Sequence, residues 1–252
     1  MLFTKLFRFK TLALLAFILL VNLTGSLLAE SDSTDKTEKV ESETTSRRPP
    51  PPRRIPPNKV KPGGGLDSSY QSCNNANESL TALVPVENPV LTTEAYPSFL
   101  FYIPDGAKVI SHGEFSVFTA NDKERIYQTA VNFEQTPGIV KITLPPSAKN
   151  ALETEQMYHW YFKVYCEDAN TQKVLDVDGW VQRVPLTADV ESKVANSSPD
   201  IWYDAIATEA KKLIANPQDA RVRDRWLKLM QHIDRGHLAD IVPIKNIDKN
   251  LD

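Results

Sequence analysis

Histidines, the residues most often used for acid–base and metal chemistry, are few in this sequence. The four are His112, His159, His232 and His237. The last two are five residues apart with Gly236 between them, so they do not share a helix face at ligand spacing. None lies at ligand spacing from a cysteine either. Structural or surface histidines are therefore predicted, and no metal site follows from them.

Carboxylates and short motifs give no active site. Asp176 and Asp178 share one face of a predicted strand, where we expect them to be solvated, because a cation site needs several more oxygens at fixed loop spacing. The sequence contains no G-x-S-x-G, H-E-x-x-H, phosphate-binding loop or dinucleotide glycine pattern. No enzyme and no cofactor are predicted. The alternative is a hydrolase or polysaccharide-processing accessory with a site between the sandwich and the helices. A pocket that holds His159 or His232 with a carboxylate at hydrogen-bond distance would favour it.

The N-terminus has the pattern of a secretory signal peptide. Residues 1–10 are basic, residues 11–23 are almost wholly apolar, and small residues lead to Ala29. We predict cleavage after about Ala29, because the apolar run is shorter than the roughly 20 residues that span a bilayer; a retained anchor is the alternative. The predicted location is the periplasm or cell envelope, without a stable membrane span after cleavage. Removing this basic segment makes a chain of net charge −3 more acidic, which disfavours general nucleic-acid binding.

Cys73 and Cys166 are the only cysteines. In an oxidising compartment an even pair most simply forms one disulfide. Two unrelated buried thiols are the alternative. The predicted disulfide would join the start of the folded domain to its most strongly patterned strand.

Residues 30–65 are predicted to be a disordered linker. Residues 30–46 are polar and acidic and carry too little apolar surface to fold. Residues 47–65 read RRPPPPRRIPPNKVKPGGG, which favours extended polyproline II followed by a flexible end. This stretch is interpreted as a spacer, or as a basic strip that docks on an acidic partner. The strip would use Arg47, Arg48, Arg53 and Arg54.

Residues 66–186 are predicted to be mainly β. The strongest signal is residues 152–167, where Tyr158, Trp160 and Phe162 alternate with polar or amphipathic residues, the pattern of a strand with one buried face. About seven or eight such runs are separated by turn signals every 8–12 residues. This spacing favours an antiparallel, immunoglobulin-like β-sandwich with residues 152–167 as its central strand. The other runs are residues 79–84, 91–93, 98–103, 114–119, 125–133, 139–144 and 174–184.

Residues 187–252 are predicted to be helical. Thr187 can cap a short helix, and Ser198-Pro199 and Asn216-Pro217 each have the pattern of a helix start. The segment from residue 222 to residue 233 has an amphipathic stripe, and Gly236 is placed to end that helix. We expect an antiparallel helical hairpin packed on the sandwich or on a partner.

The polar side of the central strand carries Tyr161 and Tyr165. We expect the helical hairpin to cover this sheet face and make these residues a second core, because the helices need an apolar surface to pack on. If the helices leave the face bare, the two tyrosines form a candidate partner-binding surface, since amphipathic rings are common at interfaces.

Two resemblances add to this interpretation. Leu152 and Tyr158 before an alternating strand resemble the tyrosine corner of fibronectin type III and immunoglobulin-like sandwiches. The chain from the linker onward also resembles the exported, mainly cyanobacterial family called domain of unknown function 928, which implies an envelope or secreted protein and no assigned activity. The residues that carry this second resemblance are 80–85, 96–104, 136–140, 158–162, Cys166, 179–184 and 201–205.

The prediction for function is a non-enzymatic binding or structural module of the cell envelope. It rests on the sandwich pattern, the linker and the missing catalytic motifs. The predicted partner is an unknown envelope protein or a polysaccharide.

Overall fold

The protein is described by a computed structural model that covers residues 55–63, 73, 78–104, 109–133, 136–168 and 171–244. The predicted signal peptide and the linker up to residue 54 lie outside these residues. So do the four arginines of the predicted basic strip.

Eight strands form two sheets. The smaller sheet has the order β1-β3-β6, and the larger has the order β2-β8-β7-β4-β5. Strand β7 is therefore the centre of the larger sheet, as predicted. The strands are β1 (Thr81–Ala82), β2 (Leu91–Thr92), β3 (Ser98–Ile103), β4 (Ile110–Thr119), β5 (Arg125–Val131), β6 (Gly138–Thr143), β7 (Met157–Asp168) and β8 (Thr171–Arg183).

One strand pair corrects the predicted antiparallel arrangement. Strands β2 and β8 are parallel, with Leu91 opposite Gln182 and Thr92 opposite Arg183. All other neighbouring strands are antiparallel. Because β2 and β8 are far apart in the chain, no hairpin turn fixes their relative direction.

The core lies between the inner faces of the two sheets. Phe101 of β3 stacks on Phe162 of β7 with ring centroids 4.3 Å apart, and Phe99 lies 4.9 Å from Phe115 of β4. Trp160 is 1% exposed in this layer. The residues that alternate on one side of β7 are thus the buried ones, as the two-residue pattern predicted.

Three α-helices follow the sheets: α1 (Ala188–Ala195), α2 (Trp202–Ala215) and α3 (Ala220–His232). The Thr187 hydroxyl caps α1 as predicted. Helix α3 corrects two predicted boundaries. It begins after Asp219, whose carboxylate accepts hydrogen bonds from two backbone N–H groups, rather than at Asn216. It ends at His232, because Asp234 adopts a left-handed conformation before Gly236 is reached.

Helix α2 packs on β3 and β2. The buried Asp204 carboxylate accepts hydrogen bonds from the Thr92 hydroxyl at 2.8 Å and from the Thr93 backbone N–H at 3.0 Å. The Tyr203 hydroxyl accepts a 2.8 Å hydrogen bond from the indole N–H of Trp160. Buried polar partners therefore fix α2 on the sheets.

Residues 55–63 correct the predicted end of the linker. The backbone of Lys59 exchanges two hydrogen bonds with Asp178 of β8, at 2.8 and 3.2 Å, and the Val60 carbonyl accepts one from Ala82 of β1 at 2.9 Å. Asn58 is 5% exposed and accepts from the backbone N–H of Trp180. This short segment connects the two sheets, so the folded part begins before Leu66. Prolines are tolerated at the edge of a sheet, and the proline-rich sequence is therefore compatible with this pairing.

Cys73 and Cys166 form the predicted disulfide. Their Cα atoms are 5.5 Å apart, and 93 positions separate them in the sequence. Cys166 is 2% exposed on β7. The bridge therefore joins residue 73 to the central strand of the larger sheet.

Glu209 of α2 is a buried carboxylate in the helical hairpin. Its side chain is fully buried, and it accepts hydrogen bonds from the Ser197 hydroxyl at 2.7 Å, the Lys212 ammonium at 2.7 Å and the Arg225 guanidinium at 3.0 Å. Burial alone would raise the pKa of Glu209, but these three hydrogen bonds together lower it below the usual value. The carboxylate thus links α2 to α3 and to the turn that follows α1.

We expect Glu209→Gln to lower the free energy of unfolding by about 2 kcal/mol at neutral pH, because a hydrogen bond to a charged group is replaced by weaker ones. A carboxyl group with a depressed folded-state pKa stabilises the fold above its unfolded pKa. This contribution is lost as the pH falls through the folded-state pKa, so the difference between wild type and variant should shrink in acid. Urea unfolding at pH 7 and pH 3 measures both.

The matched control is Glu191→Gln, because Glu191 is an exposed acid on α1. It should change stability by less than about 0.5 kcal/mol at either pH. A Glu209→Gln effect that is equal at the two pH values would contradict the role given to the charge.

Candidate functional site

The outer face of the larger sheet points away from the core and carries an unusual set of side chains. The helices pack instead on β3 and β2, so the expectation that they make this face a second core is wrong. The sheet register arranges the face in rows across β4, β7 and β8. The rows are His112–Tyr165–Val174, Glu114–Lys163–Asp176, Ser116–Tyr161–Asp178 and Phe118–His159–Trp180.

One half of this face is a group of side chains joined by hydrogen bonds and ring stacking, here called the histidine cluster: Asp122, His159, Tyr161, Asp178 and Trp180. His159 Nδ1 lies 3.0 Å from Asp122 Oδ1, and Nε2 lies 3.1 Å from Asp178 Oδ2. The Tyr161 hydroxyl lies 2.8 Å from Nδ1. The imidazole stacks on Trp180 at 4.1 Å with an interplanar angle of 6°. His159 is only 7% exposed.

The histidine cluster is suited to fixing side chains rather than to transferring protons. Both ring nitrogens of His159 already face carboxylate oxygens, so neither is free to act on a substrate. The pKa of the Tyr161 hydroxyl is raised, first by burial and then by the charge and hydrogen bond of Asp122 and the charge of Asp178. The hydroxyl therefore stays protonated and donates a hydrogen bond, and it is a poor nucleophile.

The other half of the face, here called the open patch, consists of His112, Glu114, Lys163, Tyr165 and Val174. His112 stacks on Tyr165 with centroids 4.4 Å apart and an interplanar angle of 9°. Val174 opposes Tyr165 in the register and is 44% exposed. Within the described residues, the side chains of Glu114 and Lys163 have no hydrogen bond or ion pair. The open patch thus combines aromatic rings with a charged acceptor and a charged donor that are free.

Comparison with known proteins gives a family but no function. The family model described as "Domain of Unknown Function (DUF928)" matches residues 61–242, which is most of the chain. The chain belongs to the DUF928 family. A search of curated proteins found no match.

Two solved structures show weak similarity to this DUF928 chain. One is Astrotactin-2, described as a vertebrate-specific and perforin-like membrane protein, with 11% identity, a TM-score of 0.28, and coverage of 62% of this chain and 28% of that one. The other is an AA10 lytic polysaccharide monooxygenase from Streptomyces lividans, with 10% identity, a TM-score of 0.26, and coverage of 48% and 80%. Both TM-scores are below 0.5, so neither similarity extends to fold or function.

The structure separates the two tyrosines that the sequence paired. Tyr161 belongs to the histidine cluster, where its ring meets the edge of Phe118 at 5.7 Å. Tyr165 belongs to the open patch. Asp176 is 42% exposed, in keeping with a solvated position, and it forms an ion pair with Lys59 at 2.5 Å. Asp178 is less exposed than expected and lies 3.1 Å from His159 Nε2.

The residues that surround these tyrosines could not be assigned to them from the sequence. His112 falls outside the predicted β4, which began at Glu114, although the same alternation extended two residues further places it on the outer face. Asp122 lies between the predicted strands 114–119 and 125–133, where only a turn was expected. No local pattern could show that this turn lies over His159.

Among the described residues, His232 lines cavities together with carboxylates but forms no hydrogen bond with any of them. One such cavity, of about 180 Å³, is lined by His232, Glu87 and Asp234. A cavity of about 210 Å³ between α2 and the sheets is lined by Tyr203 and by Asp204, whose carboxylate is bound to two threonines. His232 lines another, of about 250 Å³, together with Glu209, which already has three partners. In the described ranges, no cluster of metal-ligating side chains occurs, and no helix is both long and apolar enough to cross a membrane.

Tyr158 holds the entry to β7. Its hydroxyl accepts a 2.9 Å hydrogen bond from the backbone N–H of Glu153, five residues earlier. This is the kind of bond that the tyrosine-corner resemblance implied. It fixes the start of the strand that carries both the histidine cluster and the open patch.

Proposed function

We propose that this DUF928 protein is a non-enzymatic binding module that is exported to the cell envelope and binds its partner through the open patch. The observation that carries the proposal concerns Glu114 and Lys163, whose charged groups have no partner among the described residues. They lie beside the stacked His112 and Tyr165, on a sheet face that no described helix covers. Charged groups without partners can gain strong hydrogen bonds when a ligand arrives.

The histidine cluster supports the same proposal. It ties β7 to β8 and to the β4–β5 turn through side-chain contacts of 3.0 and 3.1 Å. A face fixed in this way loses little conformational freedom when a ligand binds, which favours affinity. In this proposal the cluster positions the sheet face, and the open patch contacts the partner.

The finer fold and location belong to the proposal too. An immunoglobulin-like variant of the sandwich is supported by the two packed sheets and by the hydrogen bond of Tyr158. Export is supported by the signal-peptide pattern of residues 1–29 and by the Cys73–Cys166 disulfide, since disulfides persist mainly in oxidising compartments.

Cell fractionation tests this proposal by measuring which fraction of the native host contains the tagged full chain. We expect the wild type in the washed envelope fraction, and the double variant Lys163→Ala, Tyr165→Ala in the soluble exported fraction. Lys211→Ala, which removes an exposed lysine from α2, is the control and should stay with the envelope. The proposal would be contradicted if the wild type were found in the cytoplasm, or if the envelope retained the double variant as well as the wild type.

A hydrolase is the second candidate, because His159 does lie at hydrogen-bond distance from carboxylates. A substrate would have to displace Asp122 or Asp178 to free a ring nitrogen. Assays with glycoside, ester and peptide substrates decide between the two candidates. Hydrolysis by wild type that disappears in His159→Gln would replace the binding proposal with the enzymatic one.

A further inference from the structure

The side chains of the open patch indicate which class of ligand it can bind. Its polar groups are of both kinds: Glu114 accepts hydrogen bonds, and Lys163 donates them. They lie in the row next to the stacked His112 and Tyr165, about 7 Å away along the strand, because residues two apart on a strand are separated by that distance. A ligand must therefore offer donors, acceptors and an apolar surface within a short distance.

A protein surface fits this requirement poorly. Val174 is the only strongly exposed large apolar side chain of the described residues that lies on this face, since the others are Val86, Leu186 and Val242. Stable protein interfaces usually have a larger apolar centre with few charges. The centre of the open patch is instead occupied by two free charges.

The charges on this sheet face narrow the choice of ligand further. Glu114, Asp176 and Asp178 would repel a polyanion, while Lys59 and Lys163 would repel a polycation. Opposite charges are neighbours on this face, so no strong field of either sign favours a charged polymer. An uncharged ligand rich in hydroxyl groups can satisfy Glu114 and Lys163 together.

We propose, on the basis of the proposed binding function, that the open patch binds a neutral polysaccharide. Sugar rings carry hydroxyl groups that donate to Glu114 and accept from Lys163, and their C–H faces pack against the ring of Tyr165. The patch lies on an open sheet face along β7, where Tyr165 and Lys163 are about 7 Å apart. Such a surface suits the interior of a long chain, because no described residue rises from it as a wall that would enclose a chain end.

The test is affinity electrophoresis of the full chain in gels that contain dextran, soluble mixed-linkage β-glucan or glucomannan, with alginate as the acidic comparison. At least one neutral polymer should retard the wild type. Tyr165→Ala and Lys163→Ala should each weaken that binding about tenfold, the equivalent of one hydrogen bond or stacking contact. Lys163→Ala is the safer variant, because this side chain has no packing role in the contacts above.

Two controls make the result specific. Lys211→Ala should bind like wild type, since it removes a lysine from α2. Tyr161→Phe should also stay within about twofold, because that hydroxyl serves the histidine cluster. A Tyr161→Phe loss as large as that of Tyr165→Ala would overturn the assignment to the open patch.

The outcomes also separate this inference from the proposed function. If Tyr165 and Lys163 are needed for retention in the envelope but no neutral polymer retards the protein, the ligand class is wrong and the binding module stands. Retardation by alginate alone, or neutral-polymer binding that both patch variants leave unchanged, overturns the inference. If the envelope does not retain the wild type, the proposed function itself fails.

Discussion

Replacing either cysteine of the disulfide by alanine should lower the free energy of unfolding by about 4 kcal/mol. Cys73 and Cys166 close a loop across 93 positions, and in the chain-entropy model a loop of this length restricts the unfolded chain by about 4–5 kcal/mol. Cys166 also lies in the buried layer of β7, 2% exposed. Guanidinium unfolding of the oxidised protein and of the two single variants measures the loss.

The double variant and a reductant show whether the bridge is the cause. Because one bond is removed in every case, Cys73→Ala, Cys166→Ala and the double variant should lose nearly the same free energy rather than add. Reductant should shift the wild type to the level of the variants and leave the variants unchanged. Additive losses, or an intact mass that shows two free thiols in exported protein, would refute the bridge.

Gly179→Ala should destabilise the fold by about 3 kcal/mol, although it adds one methyl group. Gly179 is directly opposite Trp160 in the β7–β8 ladder. A Cβ atom there would lie 2.4 Å from Cζ2 of Trp160 and 2.7 Å from Oδ1 of Asn58, both far inside van der Waals contact. The hydrogen bond to Tyr203 holds Trp160 in place. The indole ring therefore cannot move away from the added methyl group without losing that bond.

The matched control is Gly63→Ala. A Cβ atom at Gly63 would meet Cε of Lys59 at 3.4 Å, an ordinary contact with a flexible side chain. Its effect should stay within about 0.5 kcal/mol. Thermal and urea unfolding of the two variants decide the matter, and a Gly179→Ala variant as stable as Gly63→Ala would show that the sheets separate easily at Trp160.

A smaller side chain at the clash site gives a further check. In a Trp160→Phe background, Gly179→Ala should cost less than it does in the wild type, because the missing ring is the one that the new methyl group meets. Residues in direct contact show this kind of coupling. An unchanged cost in both backgrounds would assign the strain to Asn58 instead.

The strands could be predicted from the sequence because their signal is local. Alternation of apolar side chains along residues 152–167 reflects one buried face, and the residues that the pattern selected on β7 are buried, although His159 on the other face is buried as well. The bounds of β3 and β6 were likewise matched to within one residue. The helix starts were predicted less accurately. Asn216-Pro217 has the pattern of a helix start, but the Asp219 carboxylate caps α3.

The disulfide and the packing of the helices are two features that the sequence predicted only in part. Cys73 and Cys166 could be paired by elimination, because the sequence has only two cysteines and its signal-peptide pattern predicts an oxidising compartment, where an even pair favours a bridge. The amphipathic stripe of α3 predicted that the helices bury one side. It could not show which surface receives them, and α2 packs on β3 and β2 rather than on the outer face.

The open patch was only half visible in the sequence. The alternation of β7 identified Tyr161 and Tyr165 as outward residues but gave them the same role. The β4 register and the β4–β5 turn decide otherwise, since they bring Asp122 to His159 and His112 to Tyr165. Side chains on three strands and a turn meet only after the register is set.

The sequence by itself determined the eight strand regions, the helical C-terminal segment and the cysteine pair, because each follows from composition or from a period that neighbouring residues share. Tertiary structure alone decided the parallel pairing of β2, the sheet position of residues 55–63, and the division of the outer face into a histidine cluster and an open patch. These depend on contacts between distant parts of the chain, whose geometry no local pattern contains.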